Sequence, residues 1–93
     1  YYYDINAQIK AVIDRFYANN SSLKGADKKA ILMLTYGDET EESAEGAITS
    51  YKGMVKYLEW ENAGIVSAKA CYVLDDIINS EYPKQAYELG KSL

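Results

Sequence analysis

The side chains that most enzymes use for proton and group transfer are scarce in this 93-residue chain, which has no histidine and a single cysteine, Cys71. That composition excludes Ser/His and Cys/His triads, zincin motifs, histidine proton shuttles, an internal disulfide and any cysteine-built metal site. The acidic run from Glu39 to Glu45 has no second ligand cluster to answer it, and reads as a solvated helix start. Lys10, Asp14 and Arg15 read as helix-surface or interface ion pairs, Cys71 as a small buried hydrophobe, and Trp60 as a cap on the core at a helix exit. What remains is binding chemistry. Tyrosines gather in two short stretches, Tyr1-Tyr2-Tyr3-Asp4-Ile5 and Tyr36-Gly37-Asp38, each joining aromatic surface to backbone that can turn. The plainer reading of both is packing tyrosines with wet hydroxyls beside ordinary turns.

Bulk properties narrow the partners. The net charge is −4 and the ten Lys and Arg are scattered, the opposite of the clustered basic face that grips a phosphate backbone. Nucleic acid is therefore not an expected partner. No apolar stretch approaches the roughly 20 residues that span a bilayer, and Tyr1-Tyr2-Tyr3 leads into a polar segment rather than a signal-peptide apolar region. A membrane partner is not expected, and the free thiol fits a cytoplasmic location.

The elements that would position the tyrosines follow from periodicity. Ile5, Ile9, Val12, Ile13 and Phe16 recur at helical spacing, predicting a helix from Ile5 to Tyr17 that ends in a loop at Asn19-Asn20-Ser21-Ser22. The run Ala30-Ile31-Leu32-Met33-Leu34 predicts a strand from Lys29 to Thr35, apolar on both faces as in a parallel sheet. A second helix is predicted from the acidic loop at Asp38–Glu42 to about Leu58, with the stripe Ala44, Ala47, Ile48, Tyr51, Val55 and Leu58 and Thr40 or Ser43 as cap. Asn62 to Gly64 reads as a turn, Ile65 to Val73 as a strand nearer the sheet edge, and Ser80–Pro83 as the start of a last helix. Tyr1-Tyr2-Tyr3 reads as the tail of a further strand.

The order helix-strand-helix-strand-helix predicts an α/β fold with a parallel sheet and right-handed crossovers. Two strands alone do not shield one that is apolar on both faces. The chain is thus expected to be one part of a domain, its sheet completed by a missing N-terminal half or by a second copy.

The stretch Tyr1 to Lys10, continuing through Ile13-Asp14-Arg15-Phe16-Tyr17, resembles the NAD(P)H-dependent FMN reductase family, in which a strand ends in Pro-x-Tyr, a loop passes the flavin and a helix follows carrying Lys and then Asp-Arg. Lys28 to Gly37 is similar to the family's fourth strand and flavin-side loop. Tyr57-Leu58-Glu59-Trp60-Glu61 and Ala86 to Leu93 extend the likeness in order across essentially the whole chain. Departures lie at Glu59 and at Ala70-Cys71-Tyr72, where many relatives have glycine, and the family's phosphate-binding loop has no counterpart here.

The resemblance implies a flavodoxin-like three-layer parallel sheet, present as its C-terminal half, and FMN as cofactor of the parent protein, held weakly or not at all by this chain alone, which is expected to be inactive because the phosphate grip is missing. Ligands of open α/β sheets bind beyond the carboxyl ends of strands. The cofactor-binding candidates are accordingly Tyr1, Tyr2, Tyr3 and Tyr36 for aromatic surface, and Asp4, Ile5, Gly37 and Asp38 for backbone groups near the ring's polar edge. NAD(P)H and an electron acceptor are the implied partners, and a homo-oligomer is the implied assembly. The rival readings are a cofactor-free flavodoxin-like binding module and a small self-associating α/β domain.

Overall fold

A computed structural model describes all residues, 1–93. Its centre is a parallel pair, β1 (Lys29–Thr35) and β2 (Glu61–Ala68), in register from Lys29 opposite Glu61 to Thr35 opposite Ala68. Parallel strands need a long crossover, and α3 (Glu45–Leu58) supplies it. The apolar run therefore becomes a strand over the expected residues, and the chain is an α/β fold.

The crossover helix provides most of the core. The buried residues are Ala44, Ala47, Tyr51, Val55 and Leu58 along this helix and Val66 and Ala68 from β2. The turn that leads into it is capped by Thr40, whose hydroxyl accepts the Glu42 N–H at 3.3 Å, with Glu41, Glu42 and Glu45 favourably placed at the positive end of the helix dipole. It is a short 3-10 turn, Glu41–Ala44. At the other end Trp60 N–H reaches back to the Val55 carbonyl at 3.1 Å, a Schellman-type close with Glu59 in the left-handed conformation at φ 60°. The Tyr51 hydroxyl donates to Asn62 Oδ1 at 2.9 Å, tying the middle of the helix to the start of β2.

The other sheet face carries Met33, Val66 and Ala68, and α5 (Tyr82–Lys91) lies against it through Tyr82, Pro83 and Ala86. Contact is closest at Gly64, where a Cβ would stand 2.7 Å from Leu89 Cδ1. That approach explains a correction: Asn62 to Gly64 is not a turn but part of β2, which starts four residues before the expected Ile65. The turn-forming residues fit because the ladder is irregular there, Ala30 facing Asn62 and Ile31 facing Gly64, so that Ala63 is extra. The strand also ends early, at Ala68, because Ala70 turns left-handed at φ 57° and takes Lys69–Val73 out of the sheet.

Three further expectations are revised. The first helix, α1, spans Ala7–Asp14; a 3-10 stretch, Arg15–Asn19, and α2 (Asn20–Leu23) then keep the chain helical through the predicted Asn19–Ser22 loop. Tertiary contacts override the local turn signal: Trp60 Nε1 donates to the Leu23 carbonyl at 2.7 Å, the Phe16 and Trp60 rings lie 6.2 Å apart, and Gly25 N–H bonds the Leu58 carbonyl. A short α4 (Leu74–Ile78) was not foreseen; Asp76 nucleates it by accepting the N–H groups of Tyr72 and Val73, each at 2.9 Å. Tyr1-Tyr2-Tyr3 forms a turn rather than a strand end, with Tyr2 at φ 49° and Tyr3 at φ 68°. No neighbouring strand holds it extended, and the Tyr3 carbonyl packs so closely on Gly46 that any Cβ there would collide with it.

The expected burial of β1 on both faces is not met within the chain: its residues are at most half-buried and Met33 is 62% exposed. The accessible surface is 6854 Å², against about 5,400 Å² for a compact monomer of this mass. The radius of gyration is 14.3 Å, against about 12 Å for this length.

The left-handed Glu59 generates a prediction. Glycine adopts this conformation without the Cβ clash that costs other residues about 1 kcal/mol. Glu59→Gly is expected to raise unfolding stability by roughly 0.5–1 kcal/mol in urea denaturation; an unchanged or lower midpoint would contradict the assigned helix close.

Candidate functional site

The carboxyl end of β1 opens into a cleft of about 670 Å³, bounded by the N-terminal segment, the start of α1 and residues Ile31 to Tyr36. Its size falls within the usual range for small-molecule sites, roughly 300–1,000 Å³. The walls are mainly apolar, with Asp4, Asn6, Thr35 and Ser43 as the polar residues among them.

Of the eight residues singled out from sequence, the fold brings Tyr1, Tyr3, Asp4, Ile5 and Tyr36 into this one cleft. They arrive from positions more than thirty residues apart, because α1 begins at the end of β1 from which α3 also departs. Tyr2 is not brought in: it stands 98% exposed, its left-handed backbone turning it outward. Gly37 and Asp38 form the adjoining loop rather than the wall.

That loop is fixed by its own hydrogen bonds. Asp38 accepts the Ser43 hydroxyl at 2.7 Å and the Thr40 N–H at 3.1 Å, so its carboxylate is committed to the approach to α3. The Ser43 hydroxyl first, then the Thr40 N–H, hold the Asp38 carboxyl below its ordinary value of 3.8. The loop after β2 is tied to the same place, with Ala70 N–H on the Asp38 carbonyl at 2.8 Å and Cys71 N–H on the Tyr36 carbonyl at 2.9 Å. The Tyr36 hydroxyl pairs with Ser67 Oγ at 3.1 Å, which orients its ring against β2. The N–H groups of Gly37 and Asp38 have no acceptor within the chain.

Sequence reasoning missed Tyr72. A Cβ on Gly37 would lie 2.7 Å from its ring, so the ring stands over that glycine while remaining 86% exposed. The Gly37–Tyr72 pair had no signal in linear sequence, since the contact depends on Ala70 turning the chain back.

No group of three or more His, Cys, Asp or Glu side chains converges to hold a metal ion, and no helix is long and apolar enough to cross a membrane. The ion pairs are exposed and lie apart from the cleft floor, Lys10 with Asp14 on α1, Lys69 with Glu41, and Lys91 with Glu88 on α5. The arrangement can therefore present aromatic and aliphatic surface with a few free amides at one rim. No protein-family model, curated protein or solved structure matches this chain.

Because Asp38 holds its proton more weakly when folded, its contribution to stability is present above the ordinary carboxylate value. It is lost as pH falls below about 4, through the lowered folded value. Removing the hydroxyl in Ser43→Ala is expected to move the Asp38 titration midpoint upward by NMR; a midpoint that stays put would show that the hydroxyl does not set it.

Proposed function

We propose that the chain carries the flavin-ring side of an FMN-dependent NAD(P)H oxidoreductase domain with a flavodoxin-like sheet. The observation that carries this reading is the convergence of the Tyr1–Ile5 and Tyr36–Asp38 segments at the carboxyl end of a parallel strand, where open α/β sheets bind their ligands. Helices on both sheet faces support the fold. The left-handed backbone at Glu59, where the resembling family often has glycine, is compatible with the family's turn despite the departure in residue type.

The residues fit the ring better than the rest of the cofactor. Tyr1, Tyr3 and Tyr36 would offer aromatic surface, and the free N–H groups of Gly37 and Asp38 would donate to the polar rim of the ring. No Lys or Arg lines the cleft to meet a phosphate. When bound, FMN supplies hydride acceptance from the nicotinamide and onward electron transfer. The protein groups would hold and orient the ring and limit water around it. NAD(P)H, an electron acceptor and a homo-oligomeric assembly belong to this reading.

The test separates ring from phosphate. The chain is expected to bind FMN and riboflavin weakly and with equal affinity, followed by flavin fluorescence, because only the shared ring is held. Tyr36→Ala should weaken both by about 2- to 10-fold. No binding of either at millimolar concentration, or a tenfold preference for FMN, would overturn the proposal.

A cofactor-free binding module draws on a different observation, the unpaired edge of β1.

A further inference from the structure

Folding alone does not account for the pairing of Gly37 with Tyr72. The φ of Gly37 is not positive, so its backbone conformation makes no demand for glycine. Its neighbour does. A Cβ on Gly37 would stand 2.7 Å from Cδ2 of the Tyr72 ring and 3.5 Å from Cε2. Yet the contact adds little to stability, because packing stabilises through the apolar area it buries and Tyr72 stays 86% exposed.

The backbone beneath the ring is nonetheless pinned residue by residue. Ala70 N–H donates to the Asp38 carbonyl at 2.8 Å and Cys71 N–H to the Tyr36 carbonyl at 2.9 Å. The N–H groups of Tyr72 and Val73 both donate to Asp76 Oδ2 at 2.9 Å. Two of these four bonds end on the residues flanking Gly37, so the ring is held to the loop whose Gly37 and Asp38 amides have no acceptor. An aromatic ring fixed beside two unused donors, and open to solvent, suits a planar ligand whose polar edge meets the donors.

We propose that Tyr72 is a third ring-binding segment of the site, packing against the flavin where its polar edge reaches the Gly37 and Asp38 amides. The inference rests on the flavin reading and extends it to the loop after β2, which none of the eight candidate residues represents. It also gives Gly37 a role, since the missing side chain is what lets the ring lie beside those amides. Val73 and Leu74 are open too, at 59% and 72% exposed, but it is the Tyr72 ring that Gly37 accommodates.

The probe is FMN added to the full chain, followed by flavin fluorescence and by NOEs between flavin ring protons and the Tyr72 ring. Those NOEs are expected in the unaltered chain. Tyr72→Ala should weaken binding by about 2- to 10-fold, while Tyr72→Phe, which keeps the ring, and Leu74→Ser should each leave it within about twofold. Gly37→Ala should weaken binding in the unaltered chain and have no further effect beside Tyr72→Ala, because it acts by displacing the ring. Tyr72 is exposed, so unfolding midpoints should not move with its replacement. The assignment of Tyr72 falls, and the flavin reading stands, if the chain binds FMN but Tyr72→Ala binds it as tightly. It falls in the same way if Leu74→Ser costs as much, if Gly37→Ala costs the same in both backgrounds, or if no Tyr72 NOE is seen. No binding of FMN by the unaltered chain at millimolar concentration overturns both.

Discussion

The parallel pairing of β1 with β2 is the constraint on which the rest of this structure depends. Two strands running the same way cannot be joined by a tight turn, so the chain must cross over one sheet face before returning. The crossover is α3, and its stripe from Ala44 to Leu58 is where burial is concentrated. Each end of that helix then organises a different region. Its amino end fixes the Tyr36–Asp38 loop through Ser43 and Thr40, and its carboxyl end holds α2 and Gly25 through Trp60 and Leu58. The site and the far end of the molecule are positioned by one helix.

The same pairing explains why so much apolar surface remains open. A strand apolar on both faces is stable only when both faces and both edges are covered. Here α3 covers one face over β2 and α5 the other, while α1 borders α3 at Met54, Tyr57 and Leu58 and leaves an open cleft between itself and β1. Part of the excess of about 1,400 Å² over a compact chain of this mass lies around Met33, Ile9, Val12, Tyr1 and Tyr3, and the rest around side chains such as Tyr72, Leu74 and Ile78 elsewhere on the surface.

Periodicity made the central elements legible. Strand β1 was readable because a short apolar run bounded by Lys29 and Tyr36-Gly37-Asp38 has few alternatives, and α3 because its stripe and acidic start agree. Apart from α4, which Asp76 starts through contacts three and four residues away, the errors lie where a contact distant in sequence decides a local conformation. Asn62–Gly64 carries turn residues but joins the sheet, since Leu89 needs the missing Cβ of Gly64 and Tyr51 needs the Asn62 carboxamide. Asn19–Ser22 carries loop residues but stays helical under Trp60. For the site, tyrosine clustering found five of the cleft residues, while Ile9, Ser43 and the overhanging Tyr72 became visible only with the fold.

Backbone strain in this chain has a location. Four non-glycine residues have positive φ; Glu59 closes a helix, whereas Tyr2, Tyr3 and Ala70 all lie in segments at the carboxyl end of the sheet. Such conformations cost about 1–3 kcal/mol each and persist where surrounding contacts over-determine them. Here those contacts are Asp4 N–H on the Tyr1 carbonyl, the Tyr3 carbonyl against Gly46, and Ala70 N–H on the Asp38 carbonyl. None of the three serves the core, because none of these residues is buried. What they achieve is placement: the tyrosine segment is folded back onto the cleft, and the loop after β2 is brought against Tyr36 and Gly37. In a chain with so small a buried core, the strained backbone other than at Glu59 is thus confined to the segments that border one cleft.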